Sequence, residues 1–261
     1  MKSSLPIPSF FAAVALLVCS ASNQAQASDH TNLEDNIPTE LEDAYPTPYL
    51  GKEVQLATRF DRTADHRNLF FFEPRFEYGL APNLQVQVGV PFNYGSAAPR
   101  QAEGRGVGNV TLSALYNFNQ ESLYLPAVAL SGRLELPTAD QARGVDTTLG
   151  LVFTKTLGGA SFMPRLHLNA YWLHNAGAET EERENGYRLI AGYSMRIGAD
   201  TVGIVDYVHE YEVSERRVSN LLEAGLRRQV TPRLVLSVGG GAGLTHNSPD
   251  ARATLGAQFS F

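Results

Sequence analysis

The chain has 261 residues, 43% of them hydrophobic and 18% charged, with 21 Lys and Arg against 27 Asp and Glu and a formal net charge of −6. Its single cysteine is Cys19, so the chain beyond it has no disulfide framework, no thiolate metal site and no cysteine nucleophile. An acidic balance without a basic face gives no case for nucleic-acid binding.

Residues 1–27 read as a signal peptide. Lys2 supplies the positive start, Phe10 to Cys19 the apolar stretch, and Ala25-Gln26-Ala27 a small-residue cleavage site. That stretch is too short to span a bilayer as a helix. Cys19 as a lipidated cysteine fits poorly, because Val18 stands where such cleavage wants a small residue. Residues 28–50 form a polar, acidic leader segment. Pro38, Pro46 and Pro48 interrupt regular structure, and Asp29, Glu34, Asp35, Glu40, Glu42 and Asp43 give it a net negative charge. This leader is expected either to lie loose in the periplasm or to fold as a plug into the mouth of the domain formed by residues 51–261.

From residue 51 to the end the sequence alternates with period two. Val54, Leu56 and Phe60 oppose Glu53, Gln55 and Arg59. Phe72, Phe76 and Tyr78 then oppose Glu73, Arg75 and Glu77, and Leu84, Val86, Val88, Val90 and Phe92 oppose Gln85, Gln87 and Asn93. The fourth run sets Val110, Leu112, Ala114, Tyr116 and Phe118 against Asn109, Thr111, Ser113 and Asn117. In the fifth, Tyr124, Val128, Leu130, Leu134 and Leu136 oppose Ser131, Arg133 and Glu135. The sixth carries Leu149, Leu151, Phe153 and Leu157, with Lys155 on the same face near an end, where it can snorkel. The seventh opposes Phe162, Leu166, Leu168 and Trp172 to Arg165, His167 and Asn169, and the eighth Tyr187, Leu189, Tyr193 and Ile197 to Arg188, Ser194 and Arg196. In the ninth, Asp206 shares a face with Val202, Ile204 and Val208. A carboxylate against lipid is costly, so Val205 and Tyr207 are expected outside. Glu223 and Arg227, then Ser237 and a glycine run, then Arg252, Thr254, Gln258 and Ser260 mark the inner faces of the last three.

Twelve strands result, an even number. Tight turns are expected near 81–83, 119–121, 158–160, 198–200 and 231–233. Longer polar loops alternate with them near 61–68, 95–106, 137–146, 174–185, 214–219 and 245–250. The fold class is all-β: a 12-stranded antiparallel transmembrane β-barrel with short periplasmic turns and longer extracellular loops, placed in the outer membrane after export. Aromatic residues fall in two belts. Tyr78, Phe118, Tyr124, Phe162 and Phe261 lie beside the short turns, and Phe60, Phe92, Tyr94, Trp172 and Tyr187 beside the long loops. Outer-membrane lipids are the expected surroundings. The aromatic carboxy-terminal Phe261 resembles the signal read by the barrel-assembly machinery.

Four stretches resemble the outer-membrane family of MetA-pathway phenol-degradation proteins. They are Glu77-Tyr78-Gly79-Leu80-Ala81-Pro82-Asn83-Leu84, Gly106-Val107-Gly108-Asn109-Val110-Thr111-Leu112, Leu134-Glu135-Leu136-Pro137-Thr138, and Ser248-Pro249-Asp250-Ala251-Arg252-Ala253-Thr254-Leu255-Gly256. The resemblance implies a barrel and a role in passing small, aromatic or hydrophobic compounds.

The candidate pore-lining set is Arg75, Glu77, Arg133, Glu135, Arg165, His167, Arg188, Arg196, Asp206, Glu223, Arg227 and Arg252. Mixed signs fit either a narrow polar pore for a small solute or a network of Arg–carboxylate pairs that closes the lumen. The two readings are a passive channel and a closed barrel that binds lipid or a partner. Leader carboxylates meeting Arg165 or Arg188 would plug the lumen. Gly239-Gly240-Gly241-Ala242-Gly243 lacks the following helix of a phosphate cradle, so wall bending or close approach of the leader explains it better. No cofactor motif or histidine metal spacing occurs, and His209-Glu210 lacks the second histidine of a zinc helix. No complete nucleophile–base–orienter set can be named, since His167 and Ser194 would meet only by accident of register. The chain is therefore expected not to be an enzyme.

Overall fold

A computed structural model describes residues 29–95, 105–139, 142–158, 161–176, 185–213 and 217–261. The signal-peptide reading, Cys19, and the loop residues Arg100, Gly104, Arg183 and Arg216 lie outside the described residues. All regular structure among the described residues is β.

Fourteen segments form one sheet: β1 (Lys52–Arg62), β2 (Asn68–Ala81), β3 (Leu84–Gly89), β4 (Phe92–Gly95), β5 (Arg105–Val107), β6 (Val110–Asn119), β7 (Ala127–Leu136), β8 (Asp146–Thr156), β9 (Arg165–His174), β10 (Asn185–Gly198), β11 (Thr201–Glu212), β12 (Arg217–Thr231), β13 (Leu234–Gly243) and β14 (Ala251–Ser260). Each pairs antiparallel with its neighbours, and β1 pairs with both β2 and β14, so the sheet closes on itself. Closure removes the open edges that backbone groups in lipid could not satisfy. β3 and β4 are two halves of one wall strand, as are β5 and β6, which gives a twelve-stranded barrel.

The break within the third strand corrects the continuous run expected over 84–93. Pro91, between β3 and β4, has no N–H to donate to the ladder, so the strand is broken there, while the preceding Val90 amide still donates to the Pro74 carbonyl of β2 at 3.1 Å. On the neighbouring strand, Gly89 faces Thr111 and Phe92 faces Val107. Three steps on one side thus match four on the other, which is the extra residue of a bulge. A second difference is the connection after β6. It runs to Pro126 and is not a tight three-residue turn, because Pro126 cannot join the ladder. Tyr124 consequently sits in this connection, and Phe162 sits in the one between β8 and β9, not in a strand.

Alternation sorts the side chains. Leu168 on β9 and Leu255 on β14 are 50% and 60% exposed on the outer face, whereas Gln55, Glu77 and Arg227 are 0% exposed inside. Val205 and Tyr207 point out and Asp206 in. Aromatic contacts mark both rims. Phe261 lies 6.4 Å from Phe76 and 6.3 Å from Phe259, and Tyr187 stacks on Tyr211 at 5.1 Å. Lys155 Nζ, outside near the short-turn rim, reaches Glu121 Oε1 at 3.3 Å and the Ser122 carbonyl at 2.6 Å. The outer band is an apolar ring suited to lipid, as in outer-membrane barrels.

Inner side chains are buried because residues 29–50 lie inside the barrel. Leu33, Leu41 and Ala44 of this leader pack on the inner aliphatic side chains Leu115, Val152, Ile190 and Ile204. Removing a leucine or isoleucine from water contributes about 1.5–3 kcal/mol.

Candidate functional site

The site is the lumen wall together with the leader it encloses. Four glycines on inner-face positions make room for the leader. A Cβ on Gly192 would lie 2.5 Å from Leu41 Cδ2, on Gly225 2.4 Å from Pro38 Cγ, on Gly239 2.6 Å from the Pro38 carbonyl, and on Gly256 2.5 Å from Ile37 Cγ2. The glycine run of β13 is thus partly a seat for the leader at Gly239.

Polar contacts tie the leader to strands all round the wall. Leader carbonyls, which have no sheet partners, accept from inward side chains. Arg165 Nη1 donates to Thr31 O at 3.0 Å, Arg75 Nη1 to Asp35 O at 2.7 Å, Arg227 Nη1 to Ile37 O at 3.1 Å, Asn169 Nδ2 to Glu42 O at 3.0 Å and Asn117 Nδ2 to Ala44 O at 2.7 Å. Leader amides in turn donate outward: Glu40 N to Glu223 Oε2 at 2.9 Å, Ala44 N to Thr154 Oγ1 at 3.0 Å and Thr47 N to Gln85 Oε1 at 2.6 Å.

The leader carboxylates sit in contrasting settings. Burial pushes Glu40 up, but Arg188 and Arg252, with Arg59 behind them, outweigh it and hold the carboxyl at about 2. Burial and the nearby Asp35 push Glu42 up to about 7, against the hydrogen bond donated by Tyr171 Oη at 2.9 Å. Burial likewise raises Asp43 to about 7, although Arg165 lies 3.7 Å away.

The twelve candidate wall residues divide by environment. Arg75 is buried against Glu73, with Nε 2.7 Å from Glu73 Oε2. Arg133 bridges Glu73 at 3.1 Å and Asp35 at 3.4 Å, and its Nε lies 3.6 Å from the half-buried Glu135. Arg188 joins Glu40 at 3.3 Å and Glu210 at 2.9 Å, while Arg252 joins Asp61, Glu223 and Glu40. Arg227 also donates to Gln258 Oε1 at 2.5 Å. Glu77 accepts from Thr47, Gln55, Gln85 and Gln87. Asp206 and Glu223 are buried and face each other across β11 and β12. Arg196 is half-buried near the end of β10, apart from the others.

His167 and Ser194 do meet, which corrects the expectation from sequence. Their Nε2 and Oγ are 2.9 Å apart, and His167 Nδ1 lies 3.1 Å from Thr154 Oγ1. The diagonal between β9 and β10 brings them together. Thr154 stands where a triad would hold a carboxylate, and the group lies buried beneath the Ala44 amide of the leader.

A cavity of about 240 Å³ opens in the lumen on the long-loop side of the leader. Arg59, Arg75, Arg133 and Arg188 line it together with Phe71 and Tyr171. The Arg59 guanidinium lies 5.0 Å from the Phe71 ring centroid. Alternation already places Glu73, Asn117 and Asn169 on the inner face, whereas Phe71 and Tyr171 were not among the sequence candidates. Phase alone marks Phe71 within Phe70-Phe71-Phe72 and Tyr171 beside Trp172 as inward, and nothing in the sequence shows that Asn117 and Asn169 meet leader carbonyls.

Among solved structures, an outer membrane channel from Pseudomonas putida F1 matches with TM-score 0.66 at 17% identity, over 84% of this chain and 98% of that one. KdgM porin matches with TM-score 0.59 at 11% identity, over 80% and 99%. NanC porin matches with TM-score 0.60 at 9% identity, over 80% and 100%. These likenesses show the barrel fold. No curated protein matches the sequence. The family described as "Putative MetA-pathway of phenol degradation" matches residues 78–261, most of the barrel wall, and the chain belongs to that family.

Proposed function

We propose that the barrel is an outer-membrane channel for passive passage of small solutes, and that the leader narrows its lumen. The observation that carries this reading is the cavity of about 240 Å³, lined by four arginines, the carboxylates Glu34, Asp35, Glu42 and Glu135, and two aromatic rings. A cavity of about 150 Å³ holds a benzene molecule, so single-ring compounds fit by size. Guanidinium groups can meet a ring face or an acidic oxygen of such a solute. The family's association with phenol degradation points the same way. Arg75, Arg133, Glu135 and Arg188 would line the path, and the remaining inward charges would hold the leader or brace the wall. Export by signal peptide 1–27, insertion through Phe261 by the assembly machinery, and a lipid-facing outer band belong to the same reading.

The chain is read as non-enzymatic. The Thr154–His167–Ser194 group has no carboxylate to orient the histidine and no access for a substrate beneath the leader. Efflux of benzoate from proteoliposomes is the test. It should exceed that of protein-free vesicles, while a disaccharide is retained. Efflux equal to the protein-free rate would contradict the proposal. The density of leader contacts favours a second reading, a closed barrel without transport. A leader-deleted barrel that is also impermeable would support it.

A further inference from the structure

Glu53 on β1 and Glu77 on β2 are direct cross-strand partners on the inner face. Like charges so placed destabilise a sheet unless something neutralises them. Glu34 of the leader descends onto this pair, and one carboxylate oxygen from each of the three lies within 4.8 Å of the others. The exposures are 5% for Glu34, 6% for Glu53 and 0% for Glu77.

Glu53 and Glu77 have neutral partners only. Ser260 Oγ donates to Glu53 Oε1 at 2.8 Å and Gln258 to its other oxygen. Gln55, Gln85 and Gln87 donate to Glu77 Oε2 at 3.3, 3.2 and 3.0 Å, and Thr47 to Oε1. The Glu34 carboxylate, aimed into the same space, has no hydrogen bond or ion pair among the described residues. The nearest cation acting on it is Arg227, whose donors are directed to His30 O, Ile37 O and Gln258. Burial, then Glu77 and Glu53, push the Glu34 carboxyl well above the usual range, with Glu42 adding to them.

We propose that Glu34, Glu53 and Glu77 form a binding site for a calcium-class divalent cation that fastens the leader to the barrel wall. The ligands offered are oxygens, one carboxylate oxygen from each of the three glutamates. That set selects a hard cation. Oxygens sharing a calcium ion at about 2.4 Å lie at most about 4.8 Å apart, whereas magnesium would demand about 4.2 Å or less. The three oxygens lie within 4.8 Å of one another, inside the limit that calcium sets. A divalent charge would offset most of three negative charges that neutral amides and hydroxyls leave uncompensated.

The site joins three successive elements of the chain, the leader, β1 and β2. Glu53 stands at the start of β1, beside the seam with β14, and Glu77 near the end of β2. Glu34 belongs to the leader, so an ion here would couple occupancy of the site to the position of the leader in the lumen.

The test uses the full mature protein in detergent, stripped with a chelator and titrated with calcium chloride in a calorimeter. One calcium per chain is expected, with a rise in Tm on its addition. Glu34→Gln should weaken binding by about tenfold or more, since affinity follows the number of charged ligands. That residue is outside the wall, so the variant keeps the barrel and remains informative where Glu77→Gln fails to insert. Absence of calcium binding at millimolar concentration would overturn the proposal. Unchanged binding in Glu34→Gln would overturn it equally.

Discussion

Arg188 on the wall and Glu40 on the leader form an ion pair across the lumen, with Nη1 and Oε2 3.3 Å apart. Glu40 also takes Arg252, and its backbone amide donates to Glu223. One leader residue thus engages β10, β12 and β14. Removing one member of a buried pair leaves the other charge uncompensated, at a cost of about 3 kcal/mol. Glu40→Ala should therefore free the leader from its seat. Limited proteolysis of the reconstituted protein should cut within residues 29–50 about a hundredfold faster while the barrel stays intact, as expected for that loss in local stability. Equal cleavage rates would show that this pair does not hold the leader.

Leader docking should depend on pH through Glu42 and Asp43, both raised to about 7. A carboxyl whose pKa rises on docking favours the docked form below its free value, and that contribution fades as pH climbs through the raised value. Glu40, held at about 2, works in the opposite sense, and its contribution fails only in strong acid. Leader release, and with it conductance, is expected to increase from about pH 4, the free carboxyl value, to about pH 7, the raised value, and to level off above it. Single-channel recording across this range checks it, and the double variant Glu42→Gln, Asp43→Asn should flatten the response.

The faces of the strands were legible in the sequence because lipid and lumen impose opposite chemistry at alternate positions. Asp206 shows how firm that rule is: its charge outweighs the aliphatic residues around it in setting the phase. The break at Pro91 was not legible, since the alternation runs through it unbroken and only the register against the neighbouring strand, Gly89 with Thr111 but Phe92 with Val107, reveals the extra residue. The path of the leader was also hidden. Arg227 meets Ile37 across 190 positions of sequence, and no local pattern encodes such a contact. Likewise the His167–Ser194 approach depends on the register of β9 against β10, which alternation leaves open by steps of two.

Gly256 tests whether the seat of the leader is steric. A side chain there would strike Ile37 Cγ2 at 2.5 Å, while its next contacts are at 3.4 Å or more. Gly256→Val should displace the leader yet leave the barrel folded, with conductance raised and the heat stability of the wall little changed. Conductance equal to wild type would argue that Ile37 can shift without moving the rest.

Phe261 closes the seam, since its amide donates to Lys52 O at 3.0 Å and its ring lies near Phe76 and Phe259. Phe261→Ala should reduce insertion in the presence of the assembly machinery more than spontaneous folding into thin lipid vesicles. An equal loss in both would assign the ring a packing role only.

Residues 29–50, seated as they are, should limit conduction through an otherwise open lumen. Single-channel conductance in planar bilayers, compared between the mature chain and one lacking residues 29–50, tests this most directly. A small or intermittent conductance is expected for the former and a larger, steady one for the latter. Equal conductance, or none in either, would contradict it.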